Sequence, residues 1–127
     1  CTSKHGMEHA MSAKCPSLAH GAGLIMLAPA YYEHMIERHV CDDRFIAMAR
    51  AMGAEGDVQP CDFLTKLCAL IKECGADNLK MSDYGIRPED FPSLAENAMS
   101  SMKRVFLNDR VPLTKEDVIA IYSKSYK

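Results

Sequence analysis

The chain has 127 residues, enough for one domain with a single buried core. Hydrophobic residues make up 48% and the net charge is −2, with Lys and Arg scattered, which excludes a disordered chain and argues against nucleic acid or a membrane surface as partner. The six cysteines, Cys1, Cys15, Cys41, Cys61, Cys68 and Cys74, form no CxxC pair, and with nine methionines they fit a reducing cytoplasm better than a secreted disulfide framework.

Helical periodicity runs through nearly every segment. Residues 3–14 read as a helix that stops at Cys15-Pro16. Residues 21–36 read as a largely apolar, buried helix that can bend at Pro29. Its apolar run, Gly21 to Tyr32, is too short to span a bilayer. Residues 42–52 place Phe45, Ile46, Met48, Ala49 and Met52 on one side, with Asp42 and Asp43 at the positive end of the helix dipole and Gly53 as a stop. Residues 61–74 are the clearest amphipath, carrying Phe63, Leu64, Leu67, Cys68, Leu70, Ile71 and Cys74 between Pro60 and Gly75. Cys61, Cys68 and Cys74 therefore read as small core residues. Residues 76–91 form a connector, and residues 92–106 bury Leu94, Ala98, Met99, Met102, Val105 and Phe106. Thr114-Lys115-Glu116-Asp117 resembles a capping box, with Asp in place of Glu, and opens a last helix.

The pattern predicts an all-α, compact bundle of about six helices in a single domain over residues 1–127. No glycine-rich strand-turn-helix unit is present, so the chain carries no dinucleotide-binding fold of its own. Gly21-Ala22-Gly23 reads instead as a place where helices pack closely beside His20. No signal-peptide pattern opens the sequence, and the first residue is not Met, which is the expectation for part of a longer protein.

The chemistry is concentrated near the start. His5 and His9 are four residues apart and share one helix face. His20 follows the break at Pro16, so two helices meeting at a corner would aim His5 and His20 at one point. Neutral imidazoles bind Fe, Zn, Ni and Cu. Three imidazoles with no carboxylate or thiolate make an unusually neutral site, so a missing ligand is expected. Glu8 has the chemistry of a fourth ligand or a base, but helical geometry turns it away from the shared face, and it reads as a solvated or helix-stabilising carboxylate. His34 and His39 read as surface residues.

Two separated stretches resemble one family. His5-Gly6-Met7-Glu8-His9-Ala10-Met11-Ser12-Ala13 and Ala19-His20-Gly21-Ala22-Gly23-Leu24 are similar to the metal-binding signature of iron-containing (group III) alcohol dehydrogenases. The later motifs Asp83-Tyr84-Gly85-Ile86, Glu89-Asp90-Phe91-Pro92, Ala95-Glu96-Asn97-Ala98 and Leu113 to Tyr122 are similar as well. The resemblance implies the helical domain of a dehydroquinate synthase-like, two-domain dehydrogenase, in which a separate α/β domain binds NAD or NADP. It implies Fe²⁺, with Zn²⁺ as the alternative ion, held by one Asp and three His. His5 and His20 match two of those ligands, and the remaining Asp and His match an earlier helix outside this sequence. His9 matches a histidine beside the nicotinamide and substrate that moves protons. The spacer from His5 to His20 is slightly longer than in many members.

The implied reaction is reversible oxidation of a small primary alcohol to its aldehyde by a homo-oligomer, with no nucleic acid or membrane partner. With two of four ligands and no cofactor domain, the segment alone is expected to be inactive. The competing readings are a non-catalytic helical interaction module and, more weakly, a small metal-dependent hydrolase using Glu8 as base.

Overall fold

The computed structural model describes all residues 1–127. It is all-helical, with no strand: α1 (Ser3–Lys14), α2 (His20–Glu37), α3 (Asp42–Ala51), α4 (Pro60–Glu73), α5 (Phe91–Ser101), α6 (Lys103–Phe106) and α7 (Lys115–Ser125), with 3₁₀ turns at Ser82–Tyr84 and Pro88–Asp90. The seventh helix arises because the stretch expected as one helix over 92–106 breaks at Met102, whose backbone leaves the helical region at φ −119°, ψ 34°. α2 runs through Pro29 without interruption.

Several helix ends follow from local chemistry. The Thr114 hydroxyl accepts from the Asp117 amide at 3.2 Å and the Asp117 carboxylate accepts from the Thr114 amide at 2.9 Å, the reciprocal cap read from the sequence. The Gln59 amide donates to the Asp62 carboxylate at 2.7 Å just before α4. Gly53 and Gly75 leave α3 and α4 at φ 84° and 66°, a left-handed turn that a side chain would oppose.

α1 is the central element, packed against α2, α5 and α6, while α7 closes over α2 and α5. The core between them holds Met7, Met11, Leu27, Phe91, Ala95, Ile121 and Tyr122. The buried Tyr122 hydroxyl donates to the Met7 carbonyl at 2.7 Å, tying α7 to α1. Burial pushes its phenol well above the usual range. α1 and α6 approach so closely that a Cβ on Gly6 would lie 2.8 Å from Phe106 and 3.2 Å from Met102.

The cysteine expectation for α4 does not survive. Cys61, Cys68 and Cys74 are all exposed. α4 packs on α3 and α2 along a narrow stripe, and Phe63 is its only buried side chain. Cys61 and Cys68 project roughly 140° or more around the helix from Phe63 at 100° per residue, and Cys74 stands beyond the last turn as the C-cap. Ile71 and Cys68 border a surface cleft of about 220 Å³ with Ile25, Pro29 and Leu79, so the apolar arc of α4 is wider than its partners cover.

His39 is exposed at the α2–α3 turn and meets Asp42 at 2.8 Å. His34 is not a surface residue as expected: its side chain keeps 16% exposure, 3.7 Å from Asp117, and Nε2 has no hydrogen-bond partner. α7 covers it because α2 and α7 pack together. Burial holds its pKa below the ordinary 6.5, helped by Arg38 and Lys124, while Asp117 and Glu37 pull the other way. His5 is lowered too, chiefly by burial. The unfolded chain therefore takes up these protons first. Their contribution to stability is complete above pH 6.5 and is lost as pH falls from there to the folded values. Urea unfolding at a series of pH values should show stability declining below pH 6.5, and His34→Gln should flatten part of that decline. A pH-independent midpoint between 8 and about 5, a range spanning the ordinary imidazole pKa, would contradict this.

Candidate active site

The site forms at the corner where α1 hands over to α2. α1 ends because Cys15 caps it, its amide bonding the Met11 carbonyl at 2.9 Å, and Pro16 cannot continue the ladder. The Leu18 amide then bonds the Cys15 carbonyl at 3.0 Å, and the Leu18 side chain, 4% exposed, anchors the reversal in the core. The chain re-enters a helix at His20, the first residue of α2. His5 lies in the first turn of α1 and His9 one turn later, so both face the start of α2.

The three rings lie together. The His20 centroid is 5.6 Å from that of His5 and 5.3 Å from that of His9. Two imidazoles bound at about 2.0–2.1 Å to one tetrahedral ion place their ring centres roughly 5–5.5 Å apart, so either pair has the spacing of a shared cation. Glu8, His9 and His20 each offer a ligand atom within 4.8 Å of the other two, a group that does not include His5. The pKa of His5 lies below the ordinary imidazole value, first because of burial, then because of the neighbouring His20 and Lys4. Metal ligation requires the neutral imidazole.

Glu8 departs most from its expected place. It is completely buried. The Ser12 hydroxyl donates to one carboxylate oxygen and the His20 Nδ1 meets the other. A Cβ on Gly23 would lie 2.7 Å from Glu8 Cγ and 3.1 Å from its Oε1, so this glycine makes room for the carboxylate between the two helices. Gly21, by contrast, faces open space. The sequence expectation turns Glu8 away from the His5–His9 face toward solvent, whereas its carboxylate points into α2 and lies within 4.8 Å of the ligand atoms of His9 and His20. The signal in the sequence was the pairing of an acid with a glycine on the next helix, which periodicity alone does not reveal.

An all-helical domain in which histidines from two helices converge beside a buried carboxylate has the donor chemistry to hold a divalent transition metal. The chain belongs to the iron-containing alcohol dehydrogenase family: the family model described as "Fe-containing alcohol dehydrogenase family, C-terminal" matches residues 1–126. Among solved structures, it is similar to an archaeal halo-thermophilic alcohol dehydrogenase from a Red Sea brine pool, at 28% identity and a TM-score of 0.87, covering 98% of this chain and 32% of that one. It is also similar to an alcohol dehydrogenase from Oenococcus oeni, at 26% identity and a TM-score of 0.78, covering 98% and 32%. A third, the NADH-dependent butanol dehydrogenase A from Thermotoga maritima, has 26% identity and a TM-score of 0.74, covering 98% and 33%. The chain thus spans about one third of the length of these structures. No curated protein sequence matches it. No helix is long and apolar enough to cross a membrane.

Proposed function

We propose that this chain forms the metal-holding helical part of a cytoplasmic alcohol dehydrogenase that interconverts a small primary alcohol and its aldehyde with NAD or NADP. The observation that carries the reading is the convergence of His5, His9 and His20 at the α1–α2 corner with cation-like ring spacing. Similarity to an NADH-dependent butanol dehydrogenase supports the substrate and cofactor class.

His5 and His20 are the ligands this chain contributes, each through a neutral imidazole nitrogen. Bound there, Fe²⁺ or Zn²⁺ supplies Lewis acidity at the alcohol oxygen, and the nicotinamide supplies the hydride acceptor. His9 is exposed and stands edge-on to His20. It takes the proton released at the alcohol oxygen and passes it to solvent, a task suited to imidazole near neutral pH.

The test uses the full-length protein loaded with Fe²⁺ or Zn²⁺ and a series of straight-chain primary alcohols, following NAD(P)H formation. Metal-dependent oxidation is expected, and its absence with both cofactors and both metals would overturn the reading. His9→Ala should keep its metal while turnover falls by about 10²–10⁴-fold, the usual contribution of general acid–base catalysis. Loss of metal from that variant would move His9 into the ligand set.

A further inference from the structure

We propose that Glu8 is the positioning residue for His20: its buried carboxylate holds Nδ1–H and thereby presents Nε2 as the ligand atom. This rests on the metal-holding reading of His5 and His20. The ring of His20 is served by such a partner: its side chain is 53% exposed on the first residue of a helix, outside the core that would otherwise fix it. Glu8, with no exposed surface, is the buried group that meets it.

The chemistry then follows from the donor inventory. On this assignment the proton of the contact sits on His20 Nδ1, with the carboxylate as acceptor, so that Nε2 keeps its lone pair. The second carboxylate oxygen is occupied by the Ser12 hydroxyl, which also lies 3.4 Å from the Leu18 carbonyl. Gly23 beneath prevents the carboxylate from being squeezed out. A buried carboxylate without such partners is costly, and the fold supplies a hydroxyl, an imidazole and a side-chain-free glycine for this one group. A carboxylate that orients a ligating imidazole and raises its basicity is a recurrent second partner of metal sites.

The alternative is direct ligation by Glu8 together with His9 and His20, whose ligand atoms fall within 4.8 Å. That arrangement would take Glu8 away from His20 Nδ1 and leave both oxygens to be shared between the ion and Ser12. As the structure stands, one oxygen accepts from Ser12 and the other meets His20 Nδ1, and these are the contacts of a positioning group.

The experiment uses the full-length protein and two variants, Glu8→Gln and Glu8→Ala. Long-range ¹H–¹⁵N correlation of the histidine rings in metal-free protein reads the His20 tautomer without recourse to activity. Competition with a chelator reads Zn²⁺ affinity. Wild type is expected to carry the Nδ1–H tautomer. Glu8→Ala should shift His20 toward Nε2–H and weaken Zn²⁺ by about 10–100-fold, the range seen when such outer partners are lost. Glu8→Gln keeps an acceptor of the same shape, so it should retain the tautomer and lose less affinity than alanine. It also serves if the alanine variant fails to fold. An Nε2–H tautomer in wild type, or a glutamine variant that loses Zn²⁺ as completely as His20→Ala, would overturn the proposal, the latter by making Glu8 a ligand. Failure of the metal-holding reading is separate: His20→Ala would then keep its metal, whatever the tautomer shows.

Discussion

His20→Ala in the full-length protein is expected to abolish metal retention and alcohol oxidation together, and His5→Ala to do the same. Loss of an outer partner of a ligand typically weakens a metal site by 10–100-fold, so loss of the ligand itself should cost at least about 100-fold in affinity. The two rings approach from different helices with centroids 5.6 Å apart, and neither can substitute for the other because each is fixed to its own helix end. The fold should survive. His20 is largely exposed and its ring supports no core packing. Metal content by elemental analysis and far-ultraviolet circular dichroism on the same sample separate the two effects. Stoichiometric metal with full turnover in either variant would refute the ligand assignment.

Gly23→Ala carries the second large effect, on stability. The added methyl would stand 2.7 Å from Glu8 Cγ, 3.1 Å from Oε1 and 3.3 Å from Leu18 Cδ2. Cγ lies close to the α1 backbone and cannot swing aside as a side-chain tip can. Glu8 must leave its buried place or α2 must move away from α1. Overpacking of this kind costs about 1–3 kcal/mol. The urea midpoint should fall accordingly, and metal affinity should fall with it, since the same displacement separates His20 from Glu8 and His5. Gly21→Ala, with no atom within 4 Å of the new methyl, is the control: metal affinity should be unchanged and the urea midpoint unchanged or slightly raised, since alanine is the better helix former. A Gly23→Ala protein as stable as the parent would show that the α1–α2 spacing is softer than the packing implies.

Much of the fold was legible because helix signals are local. Pro60 and Gly75 bracket α4, Gly53 closes α3, and the Thr114–Asp117 cap starts α7, each through contacts spanning a few residues. The i, i+4 spacing of His5 and His9 likewise needed only helical geometry. The misreadings all depended on partners distant in sequence. The α4 cysteines looked interior because periodicity shows which residues share a face but not how much of that face a neighbour covers. His34 looked exposed because α7, which covers it, is more than eighty residues away in the chain. Similarly, the break at Met102 is invisible to a hydrophobic pattern that continues across it.

The sequence by itself determined an all-helical chain with its caps, its reversal at Pro16 and a histidine-rich corner, since those depend on backbone propensity and side-chain spacing within a turn or two. Only the tertiary structure decided that Glu8 is enclosed between α1 and α2 against His20, with Gly23 as its floor. Whether a side chain faces water or another helix is a property of the packed pair, and no single helix carries that information.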